Sequence, residues 1–492
     1  MHNSSKAVEQ PLDQNGKPYN RILLVLTMLI GTLSTFITST MLTTAFPTLM
    51  NAFSISADTV QWLTTGFMLV MGIVMPITGF FLQRFDSRKL YLSAIAIFLV
   101  GTIICYFAQN FWTILIGRLV MASGVGITAP VYQTIMTTIF PPSQRGAAMG
   151  TAGIVIGLAP AIGPTLSGWI LIHYSWRMLF LVIMPVSIIV LIMGSFTLRK
   201  VLPTRKAPVD WFSVLLSIIG FGSMLYGFSS VGQYQWSDPM VYMTLIIGVI
   251  VVALFIWRSL TIKNPLLQFK VFKRSDFALS ATLVAVSFMS MNGFTLVVPL
   301  YLQTLRGESP LASGLTLLPG AIVIGCMNPI TGRIFDRLGA RNMAITGMFL
   351  LTIATAAFIP ITAQAPISYI VALYALRMFG ISMVMMPVTT TGMNALPLNL
   401  IGDRTVVNNT ARQVFASMGT AILVSTMSNV TLNHTPAHAV AKATPFLYRK
   451  LAINANVLGF RYAFGIATAF SLLGFLLTFL LKRDPKKVGV AK

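Results

Sequence analysis

Acidic side chains are almost missing from this chain. Its 492 residues hold 11 Asp and Glu against 34 Lys and Arg, and charge of both signs totals 9%, where a soluble domain carries about a quarter. So little charge cannot cover a water-facing globule, which excludes a soluble enzyme or binding module. Cysteine is limited to Cys105 and Cys326. Both fall in apolar stretches, which argues against a disulfide or a metal site and reads as two small buried apolar residues. The four histidines, His2, His173, His434 and His438, lie outside those stretches, and no metal site is expected. There is no Walker-type phosphate loop, which excludes ATP as the energy source. The first apolar stretch lacks a small-residue cleavage site and reads as a retained helix, not a signal peptide.

What remains is apolar: 55% hydrophobic residues and a mean hydropathy of +0.80. Stretches of about 18 to 26 residues recur throughout, each long enough to cross a hydrocarbon core of roughly 30 Å as a helix. They are too long for barrel strands and lack their alternation. Fourteen spans are expected, near 22–45, 60–82, 90–108, 112–136, 146–171, 177–198, 211–230, 240–260, 278–304, 313–333, 343–363, 368–392, 407–429 and 459–481.

The net charge of +23 suggests nucleic acid until it is placed. With the amino terminus inside, 26 of the 34 Lys and Arg fall on the inner side, six on the outer side, and Arg118 and Arg377 within spans. This is the positive-inside pattern, so the charge is topological and both termini are expected in the cytoplasm. No nucleic-acid partner is expected.

The chain also repeats itself. Pro76-Ile77-Thr78-Gly79 returns as Pro329-Ile330-Thr331-Gly332, each copy running into a basic segment, Arg84/Arg88/Lys89 or Arg333/Arg337/Arg341. Arg118 in the fourth span is echoed by Arg377 in the twelfth, each followed by glycine-rich sequence. Duplicated, charge-terminated membrane helices mark a transporter built of two like-oriented halves, with the substrate site between them near midplane. The expected layout is a tail over 1–21, a six-helix bundle over 22–200, two inserted helices with basic connectors over 201–274, a second six-helix bundle over 275–482 and a tail over 483–492.

In the fifth span, Gly150, Gly153, Gly157, Gly163 and Gly168 strip one face of side-chain bulk, and Pro160 and Pro164 remove backbone donors. Small residues let helices approach closely in lipid, and proline bends them. This reads as a closely packed pivot; the alternative is ordinary static packing. Asp336, beside Arg337 and Arg341, can pair with an arginine or face a helix N-terminus, holding an inner gate shut. Its counterpart Gln83 carries no charge, so an asymmetric latch is expected; the alternative is that these charges only set topology. Arg118 lies too deep to be left unpaired, so it faces a polar cavity or caps backbone carbonyls.

These motifs resemble the major facilitator superfamily, specifically its fourteen-span drug:proton antiporter family, over nearly the whole chain. Gly79 to Lys89 (GFFLQRFDSRK) and Gly332 to Arg341 (GRIFDRLGAR) are similar to the family's Gly-x-x-x-Asp-Arg-x-Gly-Arg-Arg, and Gly150 to Gly168 to its antiporter signature. Gln61-Trp62, Trp176-Arg177, Asp210-Trp211 and Arg412-Gln413 also fall where the family has similar pairs. The chain departs at the family's first-span carboxylate and asparagine, here Thr38 and Thr43, and at the loop acid, here Gln83. A lincosamide-exporting subgroup is similar in lacking that acid. The resemblance implies an all-α major facilitator fold of fourteen transmembrane helices and drug:proton antiport. It ties Arg118 to proton or substrate coupling.

None of the eleven acids is clearly mid-membrane, and Asp58 and Asp403 are the candidate proton carriers. The expected cavity draws polar handles from Thr35, Thr38, Tyr132, Gln133, Asn292 and Asn328, and soft apolar surface from residues such as Met291 and Met386. Each Met or Phe taken singly is more readily a packing or lipid-facing residue. The expected activity is alternating-access efflux of lipophilic drugs across a bacterial cell membrane, with no cofactor and a proton gradient as energy source. The rivals are uniport or symport of a small metabolite, and a non-transporting sensor on a transporter scaffold.

Overall fold

Helix starts are written into the chain as caps. Asn20, Ser56, Asn110, Asp210 and Ser309 each accept from the backbone N–H three residues on, at 2.9 to 3.3 Å. Asp86 and Asp238 accept from the residue two on, both at 2.8 Å. Each satisfies a donor that the first helical turn leaves open. The computed structural model describes residues 11–141, 144–204, 210–231, 234–262, 265–395, 401–436 and 444–482, with some side chains inside these ranges excepted. Its helices are α1 (Arg21–Met41), α2 (Phe46–Phe53), α3 (Ala57–Arg84), α4 (Ser87–Tyr106), α5 (Phe111–Ile139), α6 (Arg145–His173), α7 (Met178–Leu181), α8 (Ile183–Thr197), α9 (Trp211–Ser230), α10 (Pro239–Thr261), α11 (Ser275–Leu300), α12 (Pro310–Leu338), α13 (Ala340–Ala356), α14 (Ile367–Asn394), α15 (Ile401–His434) and α16 (Pro445–Thr478). No β-strand occurs among the described residues, only an isolated bridge between Leu12 and Pro18.

Among the described residues, twelve helical segments are long and apolar enough to cross a membrane. The 29-residue α6 and the 17-residue α13 stand outside that number. In the spans of α5 and α11, 72% of the most apolar window is buried, against 17% in α10. The first two are therefore central and the last peripheral. Peripheral helices turn large apolar side chains outward, Ile189 and Phe196 on α8 and Ile250 and Trp257 on α10, as a lipid environment requires.

Within the first half, α5 packs on α3 and α4, and α1 on α6 and α8; within the second, α14 packs on α12 and α13, and α15 on α11 and α16. The halves repeat in detail. Thr78 on α3 donates to the Gly126 carbonyl on α5 at 3.3 Å. Thr331 on α12 donates to the Ser382 carbonyl on α14 at 3.0 Å. The hairpin α9–α10 lies against α3 and α15, one helix from each half, and Trp236 donates to Ser425 on α15 at 2.8 Å.

Three expectations change. The glycine-led motifs begin on the last turns of α3 and α12 and pass through the short connections Phe85-Asp86 and Gly339 onto α4 and α13. The loop expected over 430–458 is shorter, because α15 runs to His434 and α16 starts at Pro445. Cys326 is exposed on α12 while Cys105 is buried; an apolar span has a lipid side as well as a protein side.

Asp210 closes the inserted hairpin. Its carboxylate accepts from Arg258 Nε at 2.9 Å and Nη2 at 3.0 Å, and from the Ser213 hydroxyl at 2.6 Å. The Arg258 bond is the main cause that holds its pKa down at about 2. A depressed carboxylate contributes stability that is present above its unfolded pKa of about 4 and fades as pH falls through the folded value. Asp210→Asn is expected to cost about 0.5–1 kcal/mol at neutral pH. The gap from wild type, read from thermal unfolding by tryptophan fluorescence, should have narrowed by roughly pH 3.

Candidate functional site

Two fully buried arginines occupy matching places in the halves. On α5, Arg118 donates from Nε to the Leu63 carbonyl at 3.2 Å and from Nη1 to the Thr38 carbonyl at 3.1 Å. Its guanidinium carbon lies 3.9 Å from the centroid of the Phe67 ring. On α14, Arg377 donates from Nε to Thr355 Oγ1 at 3.1 Å and from Nη2 to the Ser290 carbonyl at 2.7 Å, and lies 3.9 Å from the Phe294 centroid. Each therefore pins its helix to two neighbours through neutral oxygens and one aromatic face. The described ion pairs, Arg258–Asp210, Arg306–Glu308 and Lys482–Asp276, lie at helix ends.

Thr38 stands where the resemblance places a carboxylate. It offers Arg118 only its backbone carbonyl, while its hydroxyl turns back to Ser34 O at 2.8 Å. Arg118 thus caps two backbone carbonyls, and its Nη2 is buried without a hydrogen-bond partner among the described residues. The side chains of Asp58 and Asp403, the two candidate proton carriers, lie outside the described residues.

The glycine-rich helix α6 makes the most extensive helix contact in the molecule, with α12 of the other half. Cβ atoms added at Gly150 and Gly153 would lie 2.7 Å from the Asn328 carbonyl and 2.5 Å from its Nδ2. One at Gly168 would meet Leu311 Cα at 3.3 Å, and Gly157 faces Ile324. The seam thus runs along most of the helix at a spacing only glycine allows. Gly163 faces α1 instead, where Thr40 donates to the Ala159 carbonyl at 3.1 Å. Pro164 is half-buried on α6, and the side chain of Pro160 is outside the described residues.

A second link crosses the halves between α5 and α15. Gln133 Oε1 accepts from Asn409 Nδ2 at 2.9 Å, and Asn409 Oδ1 accepts from Arg412 Nη1 at 3.1 Å. Arg412 rests 4.0 Å from the Phe288 centroid on α11. Near the basic ends of α6 and α15, Arg145 donates to Asn394 Oδ1 on α14 at 3.0 Å, and Arg404 donates to the neighbouring Met393 carbonyl.

Of the expected cavity residues, only Gln133 and Asn328 reach the seams. Thr35 is buried against Thr32 and Thr128, and Tyr132 is buried. Met291 and Met386 belong to the apolar core of the second half, and Asn292 is half-buried on α11. Of the gate residues, Gly79 faces Leu267 and Val406, Gln83 and Arg341 are half-buried, Arg84 is exposed and Gly332 is buried. The side chains of Asp336 and Arg337 lie outside the described residues, as does the latch drawn from them. Arg404 and Arg412 were expected on the inner side of the membrane. Both lie within α15, Arg404 fully buried and Arg412 half-buried. The missed signal was Asn408-Asn409 followed by Arg412, a polar stack at helical spacing inside a hydrophobic stretch.

Repeated helical halves, glycine-lined seams and buried polar links define a multi-pass membrane protein of the transporter class. A family model described as Major Facilitator Superfamily matches residues 28–420, and the chain belongs to that family; it is a transporter, not an enzyme. It is 45% identical over 470 residues to an uncharacterized MFS-type transporter, YcnB, of Bacillus subtilis (strain 168), covering 96% of this chain and 97% of that one. It is 37% identical over 467 residues to the lincomycin resistance protein LmrB of the same organism, covering 94% and 96%. Among solved structures, the human organic anion transporter MFSD10 aligns with a TM-score of 0.66 at 13% identity over 93% of this chain and 99% of that one, which shows the fold alone.

Two outcomes are expected. Arg118→Lys and Arg377→Lys each lose a planar fork shared between two helices and should each destabilise by about 1–3 kcal/mol in detergent thermal unfolding. Gly153→Leu should force α6 from α12, lowering stability by about 1–3 kcal/mol and weakening cross-linking between cysteines placed on those two helices.

Proposed function

We propose that this protein exports lipophilic, antibiotic-like small molecules across the bacterial cell membrane by alternating access, driven by proton entry. The observation that carries the reading is the pair of seams between the halves, the glycine contact of α6 with α12 and the Gln133–Asn409–Arg412 link. Both are interfaces that two rigid bundles can make and break. The names of relatives support the substrate class: LmrB, and a multidrug resistance protein B homolog of Mycobacterium tuberculosis (strain CDC 1551 / Oshkosh), 28% identical over 82% of this chain and 75% of that one.

In this reading α6 and α13 also cross the bilayer and make fourteen spans, with two bundles over 22–200 and 275–482 and the inserted pair between them. Both termini lie in the cytoplasm, as the charge distribution favours. No cofactor takes part. Asp58 and Asp403 are the proposed proton carriers, α6 is the pivot, and Asp336 serves the gate. A second reading, uniport without proton coupling, is favoured by the neutral surroundings of Arg118 and Arg377.

Cells expressing the protein should resist at least one lipophilic antibiotic of a panel and accumulate less lipophilic dye than vector controls, and an uncoupler should abolish both effects. Dye export that survives the uncoupler would select uniport, and no export of any panel compound would remove the efflux reading. Asp403→Asn and Asp58→Asn should separate the carriers: the essential one loses pH-gradient dependence.

A further inference from the structure

Three guanidiniums inside the apolar spans, those of Arg118, Arg377 and Arg412, each sit on a phenylalanine face and have only neutral partners among the described residues. The first two serve as clamps, each tied to two neighbouring helices. Arg118 Nη2 and Arg377 Nη1 are also buried without a partner, but among the described residues Arg412 is bonded to no other helix. Its one bond runs to Asn409, on its own helix, and its Nε is buried without an acceptor. One turn earlier, Asn408 is only 3% exposed and its Nδ2 also lacks an acceptor. Residues four apart share a helix face, so two donors that want an acceptor stand together on α15.

We infer that Arg412 and Asn408 form the recognition site for an anionic group, a carboxylate or sulfonate, on a lipophilic substrate. The inference deepens the export reading and rests on it. Both open atoms are donors, and neither guanidinium nor side-chain amide nitrogen can accept a hydrogen bond. A ligand bringing acceptor oxygens fills both, whereas a cationic ligand fills neither and is repelled by Arg412. In a low-dielectric interior an uncompensated charge is costly, and an arriving anion relieves it. The nearest acid along the helix, Asp403, is nine residues away, about 13.5 Å of rise and half a turn round the helix.

The surroundings suit such a ligand. Phe288 backs the guanidinium at 4.0 Å, and the buried Phe288 and Met291 on α11 belong to one apolar cluster beside which a lipophilic body can lie. The site also touches the seam. Asn409, which holds Arg412, is itself held by Gln133 from the first half at 2.9 Å. An anion that draws Arg412 away from Asn409 loosens a bond chain crossing between the halves. Occupancy is thereby communicated to the interface that has to open during transport.

The test uses purified full-length protein and a matched pair of probes, a naphthyl carboxylate and the naphthyl ammonium of the same length. Binding is read by equilibrium dialysis in neutral detergent. The carboxylate should bind more tightly than the ammonium. Arg412→Gln should weaken the carboxylate about tenfold, the loss of one charged hydrogen bond, and leave the ammonium unchanged or tighter. Asn408→Asp, which sets a carboxylate in the site, should abolish carboxylate binding and serves if Arg412→Gln does not fold. Tighter binding of the ammonium by wild type, or equal loss of both probes in the variants, would overturn the site. In liposomes of zwitterionic lipid the preference should persist. If added phosphatidylglycerol erases it by competition, the occupant is a lipid headgroup and the substrate assignment fails. Carboxylate binding without movement across the liposome would sink the export reading and leave the site. Movement of the ammonium alone would do the reverse.

Discussion

Positive charge held without negative charge inside an apolar bundle constrains everything else in this molecule. A guanidinium at membrane depth is tolerated only where several acceptors and a polarisable face replace water. Arg118 and Arg377 meet that demand by drawing in neutral oxygens from two neighbouring helices, two carbonyls for Arg118 and a carbonyl and a hydroxyl for Arg377, and lying on a phenylalanine ring. Each half is organised round one such clamp. Because the acceptors are backbone or hydroxyl oxygens, the clamps are insensitive to proton uptake. They make rigid bodies of the halves.

In the proposed cycle the halves part at two kinds of interface. Along α6 and α12 the contact is close, with glycines of α6 set against Asn328 and Ile324 of α12. Between α5 and α15 it is a thin polar chain of two amides and a guanidinium. A glycine seam can rock without breaking strong bonds, while a short hydrogen-bond chain is either made or broken. The hairpin α9–α10 lies on both α3 and α15, one helix from each half. Trp236 and Ser425 tie it to α15, and Asp210 with Arg258 closes its open end.

Much of this was legible in the chain, and the failures are specific. The repeat at Thr78 and Thr331 predicted equivalent roles, and the two hydroxyls do make the same cross-helix bond. The Arg118–Arg377 echo held for the same reason: a duplicated charge in lipid has to be solved twice by the same geometry. Of the residues expected to line the cavity, Thr35, Tyr132, Met291 and Met386 are buried, Tyr132 in an apolar cluster that joins both halves. Arg412 is legible as half of the Arg412-Gln413 pair, but its stack with Asn408 and Asn409 is not, because α15 begins earlier than its hydropathy suggests.

The sequence by itself determined the apolar helices, many of their capped starts and the two-fold repeat. These depend on apolar length, capping residues and local order, all of which are properties of neighbouring residues. Which face of each helix turns inward was decided only by the tertiary structure. In lipid both the packed and the outer faces of a helix are apolar, so periodicity carries little of the inward direction. The meeting of Gln133 with Asn409, and of Gly153 with Asn328, joins residues far apart in the chain, and only the packing of one bundle on the other brings them within reach.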